Sequence, residues 1–247
     1  MRATMAFLAA VGAALLLGLV PPAGAAVQKR VLLVTEARGF VHESIAPTAA
    51  FIRRLGARSR AYNVFPVSGA ADLTRIRLRR ADAVLFAHTS GELPLPNRPA
   101  FLRFVRQGGA FIATHSGSDT FHDWPEYEQL LGAEFYRHGA VQPGRVLLDG
   151  RRNPITRGLG PALTITDEFY EFTAPPLPGT RVLLRLDPGS VSDEMGQDLP
   201  LVWTRRYGRG RVFYDALGHV PDTWEGRAHR LILSRGIAWA LHLRPAG

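Results

Sequence analysis

The chain contains no cysteine. That absence excludes disulfides, a thiol nucleophile and thiolate metal sites together. Lysine is nearly missing as well: of the 30 basic residues only Lys29 is a lysine, and the arginines are scattered along the chain. The densest basic cluster, Arg75, Arg77, Arg79 and Arg80, lacks the interleaved aromatics of a single-strand binder. The formal net charge of +9 therefore reads as a solvated basic surface, with no nucleic-acid partner. No apolar run is long enough for a comfortable membrane span.

The one sustained apolar run is at the start. Arg2 supplies a small positive region, Ala6 to Val20 is uninterrupted and small-apolar, and Ala23-Gly24-Ala25 offers a cleavage site. Residues 1–25 are expected to be a secretory signal peptide, with cleavage after Ala25. Without a cysteine near that site a lipid anchor is excluded, and without a twin arginine general export is the expected route. The expected location is secreted or in the cell envelope. An exported protein with no disulfide must hold itself by core burial. Residues 26–247, about 220 of them, are enough for one domain.

The pattern of that domain is βαβ. Buried strands are expected at Arg30–Thr35, Ala61–Val67, Ala83–Ala87 and the run that ends at Thr114, with helices between them. Pro47 fits only the first turn of the first helix. The spacing predicts a single-domain α/β fold, a mainly parallel sheet with helices on both faces. After Phe121 the pattern loosens into a short helix, Pro125 to Leu131, and strands around Arg145–Leu148, Thr164–Thr166, Arg181–Leu186, Leu201–Trp203 and Arg211–Tyr214. Some of these should be antiparallel additions. A last helix is expected over Arg227 to Leu241.

One segment stands out. Gly108-Gly109-Ala110-Phe111-Ile112-Ala113-Thr114 leads into His115-Ser116-Gly117-Ser118-Asp119, a buried strand followed by a sharp turn. Strand–elbow geometry holds the elbow residue at the carboxyl edge of the sheet, where open α/β sheets bind ligands. That residue is His115, which can act as acid, base or metal ligand but not as an acyl-transferring cysteine. Other polar clusters also follow expected strands: Glu36 with His42, His88, Asp167-Glu168 and Gly218-His219. If they share an edge, they exceed what solvation needs.

These residues carry a resemblance. Gly39-Phe40-Val41-His42-Glu43-Ser44-Ile45 resembles the opening motif of the ThuA-like (trehalose-utilisation) family, and His115 to Tyr127 is similar to its central signature. Asp167 to Phe172 and Gly208 to His219 resemble its later blocks, so the likeness runs in order from about Arg30 to Leu243. It implies a class I glutamine-amidotransferase-like, flavodoxin-like fold whose elbow holds a histidine in place of cysteine, so the protein is not a glutaminase. It also implies a part in the use of trehalose, related disaccharides or keto sugars. One departure is Leu199, between Asp198 and Pro200, where the family often has histidine; substrate preference is expected to differ if that histidine lines the pocket.

His115, Glu168 and His219 are the candidate catalytic residues. A neutral histidine would abstract a proton beside a sugar carbonyl while Glu168 or His219 protonates an oxygen. His42, Asp119, Trp124, Tyr170 and Trp203 are the candidate substrate-binding residues, with the aromatics as a stacking wall for a carbohydrate. Each has a blander explanation. Glu168 can be a salt-bridge partner of an arginine, His219 and His42 can cap helices, Asp119 can sit at a helix terminus, and aromatics are more often core. His122, His138 and His229 are read as surface or cap residues. No metal or other cofactor is assigned. His42, His115, His219 and Glu168 have the ligand types a divalent ion accepts, but no H-x-H or H-E-x-x-H spacing supports one. The rival reading is a carbohydrate-binding protein without chemistry. A homo-oligomer is compatible with the sequence.

Overall fold

The computed structural model describes residues 27–148 and 153–243, and the expected signal peptide lies outside them. The chain runs through β1 (Lys29–Val34), α1 (Ile45–Ser59), β2 (Tyr62–Pro66), α2 (Arg75–Arg79), β3 (Ala83–Ala87), α3 (Arg98–Arg106) and β4 (Ala110–Thr114). Then follow α4 (Pro125–Leu131), β5 (Phe135–His138), β6 (Gln142–Leu148), β7 (Ala162–Asp167), β8 (Tyr170–Phe172), β9 (Arg181–Leu186), β10 (Pro200–Tyr207), β11 (Gly210–Asp215) and α5 (Arg227–Ala240).

Nine strands form one sheet in the order β2-β1-β3-β4-β11-β10-β9-β6-β7. The first five in that order pair in parallel, and each later pairing is antiparallel. Every residue of β3 and β4 is buried, as strands covered on both faces require. One face packs Ile52 of α1 with Ile232, Leu233 and Ile237 of α5. The other packs Leu78 of α2, Phe101 and Val105 of α3, and Leu130 of α4. The expected α/β architecture, with antiparallel additions in the C-terminal half, is the one observed.

Direction decides which loops meet. Because β10, β9, β6 and β7 alternate, β7 runs the same way as β11, and β11 is parallel to β4. The carboxyl ends of β1, β3, β4, β11 and β7 therefore lie on one edge. Strands four places apart in a flat sheet stand about 19 Å apart, yet the Asp167 carboxylate at the end of β7 touches the His219 backbone just past β11. The antiparallel half curls back over the edge.

Three features depart from the sequence reading. α2 forms over part of the basic cluster, and β5 pairs with β8 in a separate two-stranded ribbon. All three elements have at most five residues, too few for a periodic signal. After His115 comes a single 3₁₀ turn, His115–Ser118, and the following α-helix begins only at Pro125. No helix among the described residues is long and apolar enough to cross a membrane.

Candidate functional site

His115 occupies the elbow after β4 with φ of 46°, and His88 occupies the matching position after β3 with φ of 53°. Non-glycine residues rarely adopt this left-handed conformation, and held strain of this kind clusters at functional sites. The tightness of the elbow shows at Gly117, where a Cβ would come within 2.8 Å of the Ala113 side chain. Tyr214 of β11 donates its hydroxyl to the His115 carbonyl at 2.7 Å, which pins the turn from the neighbouring strand.

The His115 ring is fully buried. Its Nδ1–H donates to the Ala216 carbonyl at 2.8 Å, which leaves the Nε2 lone pair facing the other loops. Four groups gather there: the Tyr170 hydroxyl at 2.8 Å, His42 Nε2 at 3.0 Å, His219 Nδ1 at 3.2 Å and Glu168 Oε2 at 3.5 Å. His42 comes from the turn before α1, His219 from the loop after β11, and Glu168 from the link between β7 and β8.

The loops are tied by buried carboxylates. Asp167 accepts the backbone N–H groups of Glu168, Gly218 and His219 and the Thr223 hydroxyl, at 2.7 to 3.0 Å. Gly218 has φ of 111°, and a Cβ there would lie 2.6 Å from the Trp224 ring, so only glycine delivers His219 to this place. Asp215 accepts from buried His229 at 3.1 Å and from the Leu217 backbone.

Electrostatics splits the cluster. Burial, reinforced by the neighbouring His115 and His219, pushes the His42 pKa down to about 3. Burial also holds His88 well below the ordinary histidine range; its ring nitrogens pair with the Ser44 and Thr48 hydroxyls at 3.1 Å. Burial opposes the Glu168 carboxylate, but its neighbours His115 and His219 outweigh it and bring its pKa down to about 2. The same bond to Glu168 raises His219. The result is a neutral His42 behind an ionised Glu168 that favours the protonated form of His219, with Nδ1 3.1 Å from Oε2 and the His219 side chain 22 % exposed.

Of the eight candidate residues, the structure brings together His115, Glu168, His219, His42 and Tyr170. It does not bring in the other three. Asp119 pairs with His122 at 2.8 Å. Trp124 packs on Phe121 and lies beneath the Arg98 guanidinium. Trp203 is wholly buried, with its indole N–H on the Leu131 carbonyl. Tyr170 is also buried and serves as a hydroxyl donor rather than a stacking wall. Glu168 pairs with histidines, not with an arginine.

Two residues read as surface or cap positions also take part in these networks, His138 from an exposed position. His138 Nδ1 lies 2.9 Å from Glu168 Oε1, because β5 folds beside β8. His229 is buried against Asp215. Phe40 was not singled out by the sequence reading. Its ring is 63 % exposed yet lies 4.7 Å from that of His42 and 6.4 Å from that of His219. Its only sequence signal was its place two residues before His42. A groove of about 530 Å³ between α2 and α3, reaching Gly108 and Gly109, lies at the opposite, amino edge of the sheet.

With this geometry in place, comparison with known proteins is informative. The family model described as trehalose utilisation, ThuA, matches residues 30–240. The fold is similar to a ThuA-like protein from Bacteroides uniformis ATCC 8492, with 21 % identity, TM-score 0.74, and coverage of 89 % of this chain and 95 % of that one. It is also similar to a ThuA-like protein from Parabacteroides merdae ATCC 43184, with 19 % identity, TM-score 0.70, and coverage of 89 % and 92 %. A beta-galactosidase from Bacillus circulans sp. alkalophilus shares the fold over 88 % of this chain but 32 % of its own, with 14 % identity and TM-score 0.55. No curated protein matches the chain significantly.

Proposed function

Because the chain belongs to the ThuA, or trehalose utilisation, family, we propose that it acts on a carbohydrate, a disaccharide or its keto derivative, by histidine–carboxylate acid–base chemistry at the carboxyl edge of the sheet. The observation that carries this reading is the meeting of His42, Glu168, His219 and Tyr170 around one nitrogen of His115. Stability does not call for three imidazoles and a carboxylate from four loops to be gathered in one buried spot. Strain at His115 and tuned protonation of its neighbours are what acid–base work needs.

Roles follow from exposure and charge. His219, partly exposed and with its pKa raised by Glu168, is the acid a substrate oxygen meets. His115 Nε2 offers a lone pair whose direction is fixed by the bond from Nδ1 to Ala216. A sugar carbonyl acidifies the neighbouring C–H, and that lone pair would take the proton. Phe40 offers an apolar face at the mouth for a sugar ring. The leader-like residues 1–25 support export to the cell envelope or beyond.

The test is turnover of trehalose, other disaccharides and their 3-keto derivatives, followed by product analysis. His115→Asn should keep the fold and sugar affinity while cutting turnover by roughly 10²–10⁴-fold. Equal activity of mutant and wild type would remove His115 from the chemistry. Binding without turnover in either form would favour a non-catalytic carbohydrate-binding protein.

A further inference from the structure

The His115 Nε2 atom is oversubscribed. An imidazole nitrogen has one in-plane lone pair, and Nδ1–H is already committed to Ala216. That single lone pair accepts well from the Tyr170 hydroxyl. It cannot also take His42 at 3.0 Å and His219 at 3.2 Å, with a carboxylate oxygen at 3.5 Å beside them. On its outer side, among the described residues, His42 Nδ1 meets the Ser116 hydroxyl at a long 3.4 Å. Hydrogen bonds alone leave this cluster badly arranged.

We infer that His42, His115, Glu168 and His219 bind a divalent transition-metal ion of the zinc class. Their ligand atoms all lie within 4.8 Å of one another. Tetrahedral ligands at zinc distances of about 2.0–2.1 Å are about 3.3–3.4 Å apart. Three of the pairs measured here are 3.2, 3.5 and 3.1 Å: His115 with His219, His115 with Glu168, and His219 with Glu168. The His42–His115 pair, at 3.0 Å, opens slightly. Three imidazoles and one carboxylate suit zinc and its neighbours rather than magnesium or calcium, which prefer oxygen.

The surrounding shell fits as well. A histidine ligand usually donates its other N–H to a backbone carbonyl or carboxylate, which fixes the tautomer, and His115 does so to Ala216. Glu168 Oε2 faces the cluster while Oε1 meets His138 at 2.9 Å, so the ligand carboxylate has an outer partner. Asp167 holds the backbones of both Glu168 and His219. Scattered over more than 170 residues, these ligands show no local motif; the fold supplies the spacing that the sequence lacks. The Tyr170 hydroxyl gives up its bond to Nε2 on ion binding and is placed to donate to an oxygen held by the ion.

This inference rests on the proposed carbohydrate reading and changes the roles within it. An ion would occupy the His115 and His219 lone pairs, and the proton-transfer group would then be a water held by the ion, or a sugar oxygen would be polarised there. The experiment is a titration of chelator-treated protein with Co²⁺ alone, read by visible absorption, with Zn²⁺ as competitor. One equivalent should bind with the intense bands of a four- or five-coordinate site, and Zn²⁺ should displace it. His219→Ala and His42→Ala should each weaken Co²⁺ binding by more than about 100-fold, beyond what losing an outer partner costs. His122→Ala should leave it unchanged. His219 is partly exposed, so its variant keeps the test valid if His42→Ala fails to fold. No saturable binding, or the pale spectrum of an octahedral ion, would overturn the inference. So would a dependence on His122, which would place the ion with Asp119 and Glu134. Sugar turnover undiminished after chelation would reject the ion and leave the carbohydrate reading standing. Tight Co²⁺ binding without any sugar turnover would reject the carbohydrate reading and leave the ion.

Discussion

Asp167 accepts the backbone N–H of His219 at 2.9 Å, so one buried carboxylate ties the end of β7 to the loop after β11. It also holds Glu168, Gly218 and Thr223, so four donors share its two oxygens. Asp167→Asn keeps one acceptor and sets an NH₂ group against backbone donors. Unmet buried donors cost about 1–3 kcal/mol each, so the variant should lose about 3 kcal/mol in urea denaturation. Its Co²⁺ affinity should fall by about 10- to 100-fold, as for outer partners of metal ligands. Unchanged stability and affinity would mean that the two loops are held by packing alone.

Much of this arrangement was legible in the chain. The apolar run from Ala110 to Ala113, preceded by two glycines and followed by Thr114-His115, reads as a buried strand that delivers a histidine to the ligand edge. His42 follows from the same logic, because β1 is parallel to β4. Glu168 did not follow, because the direction of β7 depends on four successive antiparallel pairings, and His219 did not, because no local pattern shows that β11 pairs in parallel with β4. His138 was missed because β5 is four residues long and its partner β8 three. Trp124 and Trp203 were misplaced for a different reason. An aromatic in a motif reads alike whether its ring faces solvent or core, and only packing decides.

Phe40 is the exposed aromatic at the cluster's mouth. If it carries the sugar ring, Phe40→Ala should raise KM by about 2- to 10-fold, matching the 0.5–1.5 kcal/mol of an aromatic contact, and leave kcat nearly unchanged. Steady-state kinetics on a turned-over sugar checks this. A fall in kcat at constant KM would instead make Phe40 a support for His42.

Two buried histidines should shape stability against pH in opposite senses. His88 stays neutral in the fold because burial depresses its pKa. The unfolded chain takes up a proton there below about pH 6.5, so this histidine lowers stability as pH falls through that value. His229 is raised: burial works against its charge, but Asp215 outweighs it. Its contribution is complete below about pH 6.5 and is lost as pH rises through the higher folded value. In metal-free protein, denaturation midpoints across pH should show His229→Gln flattening the alkaline limb and His88→Gln the acid limb. Parallel curves for both variants and wild type would refute these protonation states.

The most direct measurement of the central claim is solvent exchange at carbon. In D₂O, 3-keto-trehalose followed by proton NMR should gain deuterium beside its carbonyl when wild-type protein is present, well above the buffer rate. With His115→Asn the rate should return to that of buffer. Wild-type protein that binds the sugar but adds nothing to uncatalysed exchange, or exchange that survives in His115→Asn, would contradict proton transfer that depends on His115.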